Sequence, residues 1–253
     1  MKSKSRYVLS ILCAVCLVLT TASSSLAQSK VPVAKGTGGA VASVDVDASR
    51  IGIDVLRQGG NAVDAAVATA AALGLTEPFS AGIGGGGFMV IYLHDQDRMI
   101  TLDGREEAPA AVTPDLFRDP DDPAGGNLPF VPNRISSGLA VGVPGTPLNW
   151  QTALARYGTL SLAAALAPAI ELAESGFTVD ETFAQQVARN QERFGAFTST
   201  RQLYLPNGEP PDVGSTFKNL DMASTYRVLA DQGVNSFYRG DIAEAIVNTV
   251  QSP

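Results

Sequence analysis

Residues 82–109 read GIGGGGFMVIYLHDQDRMITLDGREEAP. Four glycines, Gly84 to Gly87, open the stretch and an apolar run follows, from Phe88 to Leu93. A polar tip, His94-Asp95-Gln96-Asp97-Arg98, leads into a second short apolar run that ends at Leu102-Asp103-Gly104-Arg105. Two strand-like runs around a polar tip predict a β-hairpin. Arg98 reads as part of the tip, and Arg105 lies beyond the second strand beside Glu106 and Glu107. The glycines suit a close approach of another backbone or a ligand. They precede a strand and carry no Gly-Lys-Ser/Thr ending, so they are not a phosphate loop, and they do not open a helix as a dinucleotide loop does.

Upstream, residues 40–46 (AVASVDV) read as a strand, with Asp47 as the cap of a following helix. The apolar stripe of that helix is Ala48, Ile51, Val55 and Leu56, and Gly59-Gly60 ends it. Asn61 caps a second helix over 62–75, with Asp64 in its first turn, where the helix dipole favours an anion. This helix is alanine-rich and apolar nearly all round, which predicts burial between layers. It stops at Glu77-Pro78. The order is therefore strand, helix, helix, strand, strand.

Downstream, 113–133 is an Asp/Pro/Gly-rich loop whose acidic residues lack calcium-ligand spacing. Helices are expected over 148–156, from Ser161 to Gly176 with Pro168 kinking or dividing it, and from Asp180 to about Arg193. Residues 205–214 form a Pro/Gly loop, and the last helices span about 220–232 and 241–251. The class is α/β (α+β). About three evident strands are few for so many helices, so the fold is expected to be incomplete in this chain.

Of 253 residues, 45% are hydrophobic and 17% charged, which supports a packed core. The net charge is −7 and no Lys/Arg block stands out, which excludes a nucleic-acid-binding footprint. Lys2, Lys4 and Arg6, the apolar residues 7–19 and the small-x-small signal Ser25-Leu26-Ala27 read as a signal peptide cleaved after Ala27. The apolar run is too short to anchor a membrane stably. Two domains follow: the signal peptide, 1–27, and one partial domain, 28–253. The leader carries three cations and no carboxylate, so cleavage takes the net charge from −7 to −10. Both cysteines, Cys13 and Cys16, leave with it, which excludes disulfides, thiolate nucleophiles and cysteine metal sites from the mature chain. The single histidine, His94, reads as a surface-turn residue, although a Ser-His-Asp triad would have to use it. Arg105 by itself reads either as a carboxylate-binding residue or as the partner of Asp103, Glu106 or Glu107 in a local ion pair.

Together these pieces resemble the gamma-glutamyltranspeptidases. The matching stretches are GGNAVDAA at 59–66, GGGGFM at 84–89, LDGREEAP at 102–109, SGLAVGVPGT at 137–146, YGTL at 157–160, LAPAI at 166–170 and FYRG at 237–240. The resemblance covers about 40–250 and is to the front part of the large subunit only.

It implies an N-terminal nucleophile hydrolase with a layered αββα fold, secreted or periplasmic. Its precursor cuts itself into large and small subunits, and the new N-terminal threonine of the small subunit attacks γ-glutamyl amides such as glutathione. The threonine's own α-amine can serve as base. Arg105 aligns with the arginine that grips the α-carboxylate of the γ-glutamyl group, and a planar guanidinium suits that task. The threonine junction and the small-subunit residues are absent. Thr20-Thr21 lies in the leader and Gln28 is no nucleophile. No catalytic residue is therefore expected in this chain, and no turnover by it alone. No metal or organic cofactor is implied. The expected partners are a γ-glutamyl substrate and a small subunit from the same precursor. Alternatives are a related acylase acting on glutaryl-type side chains, or a secreted non-catalytic protein.

Overall fold

The computed structural model describes residues 35–251. The expected leader, 1–27, lies outside them. The first helix, α1 (Val46–Arg57), is capped by Asp45, whose carboxylate accepts the Ala48 N–H at 2.9 Å. The expected cap, Asp47, instead sits in the first turn and pairs with Arg50. Gly59, at φ 94°, reverses the chain after α1. Asn61 caps α2 (Ala62–Thr76) in a reciprocal capping box with Asp64.

The expected strand over 40–46 does not form. Val41 to Asp45 alternate between half-buried and exposed, as a strand would, but no neighbouring strand pairs with them among the described residues. The pattern reports which side faces the core. A strand needs a hydrogen-bonding partner as well.

The hairpin forms as expected from β1 (Gly87–Leu93) and β2 (Arg98–Gly104), antiparallel, with Gly87 opposite Gly104 and Leu93 opposite Arg98. Arg98 thus begins the second strand and is not part of the tip. The tip is a single tight helical turn over His94–Gln96, closed by Asp97 in the left-handed region.

Helix α3 (Thr146–Tyr157) begins two residues before the expected start. Helix α4 (Leu162–Ser175) is capped by Ser161 and runs unbroken through Pro168. Ala165, Leu166, Ala169 and Ala173 are buried along its length, and this burial holds the helix together across the missing N–H of Pro168.

The helix expected from Asp180 to Arg193 is two pieces, α5 (Glu181–Arg189) and α6 (Gln191–Gly195), divided at Asn190. Several short elements have no counterpart in the sequence reading. Among them are α7 (Thr198–Tyr204), the two-residue ladder of β3 (Phe177–Thr178) with β4 (Thr216–Phe217), and α9 (Asn235–Arg239). The long helices α8 (Leu220–Gln232) and α10 (Asp241–Gln251) match the expectation.

The core is helical. Helix α2 is the central member, packed against α1 on one side and α4 on another, and α4 in turn packs on α8. Ala65, Ala68, Ala71 and Ala72 are buried at 2% exposure or less, so neighbouring backbones come close. An aromatic cluster of Phe79, Phe177, Phe183, Phe194, Tyr204 and Phe217 closes one end, with Phe183 and Phe217 ring centres 4.9 Å apart. Each buried ring contributes about 1.5–3 kcal/mol by area alone.

Candidate functional site

The hairpin and the start of α3 meet behind Arg105. The Gly85 carbonyl accepts the Gly145 and Thr146 N–H groups, both at 3.1 Å, and the Thr146 hydroxyl at 2.9 Å. Asn149, one turn into α3 and buried, donates its amide to the Gly87 carbonyl at 3.2 Å. Beyond β2, Glu107 forms a two-way backbone bridge with Val143. The segment 104–107 is therefore held at both ends.

Two glycines make this closure possible. A side chain on Gly86 would lie 2.8 Å from the Glu106 nitrogen and 2.9 Å from the Arg105 carbonyl carbon. From the other side, one on Gly145 would lie 2.7 Å from the Gly104 carbonyl carbon and 3.2 Å from the Arg105 oxygen. The distances of 2.7–2.9 Å are too short for a Cβ, so the Gly104-Arg105 peptides are clasped between bare backbones. The glycine run read from the sequence as permitting close approach does so here.

Arg105 itself is exposed. Its backbone N–H donates to Asp103 Oδ1 at 3.0 Å, which turns the chain at the end of β2. Among the described residues its guanidinium forms no ion pair, whereas Asp47–Arg50, Asp54–Arg57, Asp115–Arg118 and Glu174–Arg227 do. The local pairing with Asp103, Glu106 or Glu107 does not form. A planar cation on a braced backbone, with its five donors open, can take a carboxylate through two parallel charge-assisted bonds.

His94 stands apart from this arrangement. It is exposed at the hairpin tip, edge-on to Tyr92, whose hydroxyl donates to Asp97 at 2.9 Å. No group of metal-binding side chains occurs among the described residues, and no described helix is long and apolar enough to cross a membrane.

The structure also joins two motifs that are far apart in the chain. Asp64 is fully buried, and its carboxylate accepts the Asn61 N–H at 2.8 Å, the Leu160 N–H at 3.0 Å and the Thr159 hydroxyl at 2.7 Å. Burial raises its pKa. The hydrogen bonds from the Thr159 hydroxyl and from the Asn61, Leu160 and Thr159 N–H groups outweigh burial and hold it below the ordinary value of 3.8. Asn61 adds a bond from its amide to the Tyr157 carbonyl at 2.7 Å. In the sequence Asp64 reads only as a first-turn anion, and its distant donors leave no local signal.

FYRG is absorbed likewise. The Tyr238 hydroxyl donates to the Pro144 carbonyl at 2.8 Å and accepts the Leu148 N–H at 3.3 Å. Neither contact is visible in the sequence around Tyr238. A cleft of 420 Å³ between Leu203 and Lys218 lies elsewhere, and none of its lining residues belongs to the clasp.

The sequence model of the gamma-glutamyltranspeptidase family matches residues 48–253. The chain is 43% identical over 216 residues to the glutathione hydrolase proenzyme of Bacillus subtilis strain 168, covering 85% of this chain and 36% of that protein. It is 35% identical over 216 residues to the Acylase ACY 1 proenzyme of Pseudomonas sp. strain V22, covering 85% of this chain and 38% of that protein. The crystal structure of Helicobacter pylori gamma-glutamyltranspeptidase superposes with a TM-score of 0.81 at 35% identity, covering 87% of this chain and 62% of that one. This chain thus spans a little over a third of the length of these curated relatives. With matching sequence motifs, a matching fold and a family match over most of its length, the chain belongs to the gamma-glutamyltranspeptidase family.

Proposed function

We propose that this chain supplies the carboxylate-binding wall of an enzyme that transfers γ-glutamyl groups from glutathione and related amides to water or to amino-acid and peptide acceptors. The observation that carries the reading is Arg105, exposed, free of ion pairs among the described residues, and mounted on backbone clasped by Gly86 and Gly145. In this reading Arg105 binds the α-carboxylate of the γ-glutamyl group and so sets the position of the γ-carbonyl. A threonine at the N-terminus of a small subunit, outside these 253 residues, attacks that carbonyl. The amine leaves with a proton, and water or an acceptor amine then releases the acyl group. No metal or organic cofactor enters this chemistry.

The small subunit is proposed to arise from the same precursor, and the proenzyme names of the relatives support this. The apolar face of the hairpin supports it too. Phe88, Val90 and Tyr92 on β1 and Met99 on β2 are each more than half exposed, as befits a sheet that other strands or layers cover. The enzyme is proposed to be secreted or periplasmic after cleavage near Ala27, and the chain alone to be inactive.

The test is Arg105→Lys in the processed enzyme. Loss of a bidentate carboxylate grip costs about 1.5–3 kcal/mol, so KM for γ-glutamyl 4-nitroanilide is expected to rise about ten- to hundredfold. An unchanged KM overturns the assignment.

A second reading is favoured by the acylase relative. A glutaryl chain places a carboxylate at the same distance from the reacting carbonyl as the γ-glutamyl group does, and lacks only the α-amine. Arg105 suits both, and comparing γ-glutamyl with glutaryl anilides decides between them.

A further inference from the structure

We infer that Tyr238 is a positioning residue for Arg105: its hydroxyl completes the first turn of α3, and that turn braces the backbone on which Arg105 stands. The inference rests on the reading of Arg105 as the carboxylate-binding residue.

The first backbone donors of a helix have no partner inside it. A side chain at the N-cap ordinarily satisfies one of them. Here the N-cap is Gly145, which has no side chain to offer, and the contact with Gly104 and Arg105 leaves no room for one. The turn must therefore be satisfied from outside. Gly145 and Thr146 donate to the Gly85 carbonyl. Pro147 has no N–H. Leu148 remains, and its N–H goes to the Tyr238 hydroxyl at 3.3 Å, from 90 residues along the chain.

The same hydroxyl donates to the Pro144 carbonyl at 2.8 Å. One oxygen thus ties the residue before Gly145 to the residue three after it. Gly145 presses on the Gly104-Arg105 backbone, so the tie fixes the surface against which that backbone rests. Tyr238 is itself held by α9, where the neighbouring Phe237 is buried in the core with its ring 5.1 Å from that of Tyr238.

Tyr238→Phe in the processed enzyme removes the hydroxyl and keeps the ring. KM for γ-glutamyl 4-nitroanilide is expected to rise about three- to tenfold, with kcat within about twofold, as for the loss of one hydrogen bond. The control donor, 4-aminobutyryl 4-nitroanilide, has no α-carboxylate, and its kcat/KM is expected to change less than about twofold. In the Arg105→Lys background, Tyr238→Phe is expected to add almost nothing, because the two residues act on one contact. Replacing the Pro147–Leu148 amide by an ester deletes the N–H that Tyr238 accepts and keeps the exposed Leu148 side chain and the helical backbone path. It is expected to raise KM in the same way, and it serves if Tyr238→Phe does not fold.

Equal losses on both donors, or full additivity with Arg105→Lys, reduce Tyr238 to a general structural residue and overturn the inference. So does an unchanged KM in Tyr238→Phe while Arg105→Lys raises it, and in that case the reading of Arg105 survives. An unchanged KM in Arg105→Lys removes that reading and this inference with it.

Discussion

Thr159 closes on Asp64 from 95 residues away, donating its N–H to Oδ1 at 2.9 Å and its hydroxyl to Oδ2 at 2.7 Å. The pair joins the start of α2, the central helix of the core, to the turn between α3 and α4. With Asn61 and Leu160 added, every lone pair of a buried carboxylate faces a donor from the protein. A buried charge is tolerable only under such conditions.

Asp64→Asn is expected to destabilise the protein by about 3 kcal/mol, because an amide nitrogen would then face N–H groups that donate and cannot accept. Chemical denaturation checks this. The pH dependence has a definite sign. The folded pKa of Asp64 lies below its ordinary 3.8, so its contribution is fully present above that value and is lost as the pH falls through the lower, folded value. The stability gap between wild type and Asp64→Asn is expected to narrow only in that acid range. A gap that closes near neutrality refutes this account.

Gly145→Ala tests the clasp. Its Cβ would stand 2.7 Å from the Gly104 carbonyl carbon, so backbone must move on one side or the other. The expected cost is about 1–3 kcal/mol of stability. In the processed enzyme the same change is expected to raise KM for a γ-glutamyl donor more than it lowers kcat. Steady-state kinetics with a melting curve separates the two effects, and a wild-type KM contradicts the bracing role of Gly145.

Two tyrosines give an alkaline signature. Burial pushes Tyr204 up to about 12, and burial raises Tyr226 further still, with its hydroxyl donating to the Ala71 carbonyl at 2.9 Å. Their folded pKa values lie above the unfolded value of 10.0. Their contribution to stability is therefore whole below pH 10 and declines above it. Ultraviolet titration is expected to show these two ionising together with the loss of far-UV circular dichroism. Complete tyrosine ionisation near pH 10 in a still-folded protein contradicts the burial.

The hairpin face predicts self-association of the chain when it is made alone. Phe88, Val90, Tyr92 and Met99 form an apolar surface, with Tyr92 directly opposite Met99. Sedimentation velocity is expected to show aggregates for the isolated chain and a shift toward monomer for Phe88→Lys/Val90→Lys. A cooperatively folded monomer of the unmodified chain counts against an interface on this face.

The hairpin, the ends of α2 and α4 and the presence of Arg105 just past a strand are legible in the sequence. These are local matters: alternation, caps and glycine or proline stops act within a few residues. The division of α5 from α6 and the short β3–β4 ladder were hidden, because pieces of five residues or fewer are stabilised by the aromatic cluster rather than by their own pattern. The strand reading of residues 40–46 failed for the opposite reason: alternation was present, but pairing requires a second strand.

What Asp64, Asn149 and Tyr238 do depends on how distant parts of the chain pack together. Asp64 looks like an ordinary helix-start anion until Thr159 arrives, and Tyr238 looks like one aromatic residue among several until it caps a helix whose own cap position is a glycine. Each partner lies about 60 to 95 residues away along the chain, as for Gly87, Leu148 and Thr159. A buried polar group must find a partner somewhere, and which one it finds is settled by how the helices pack.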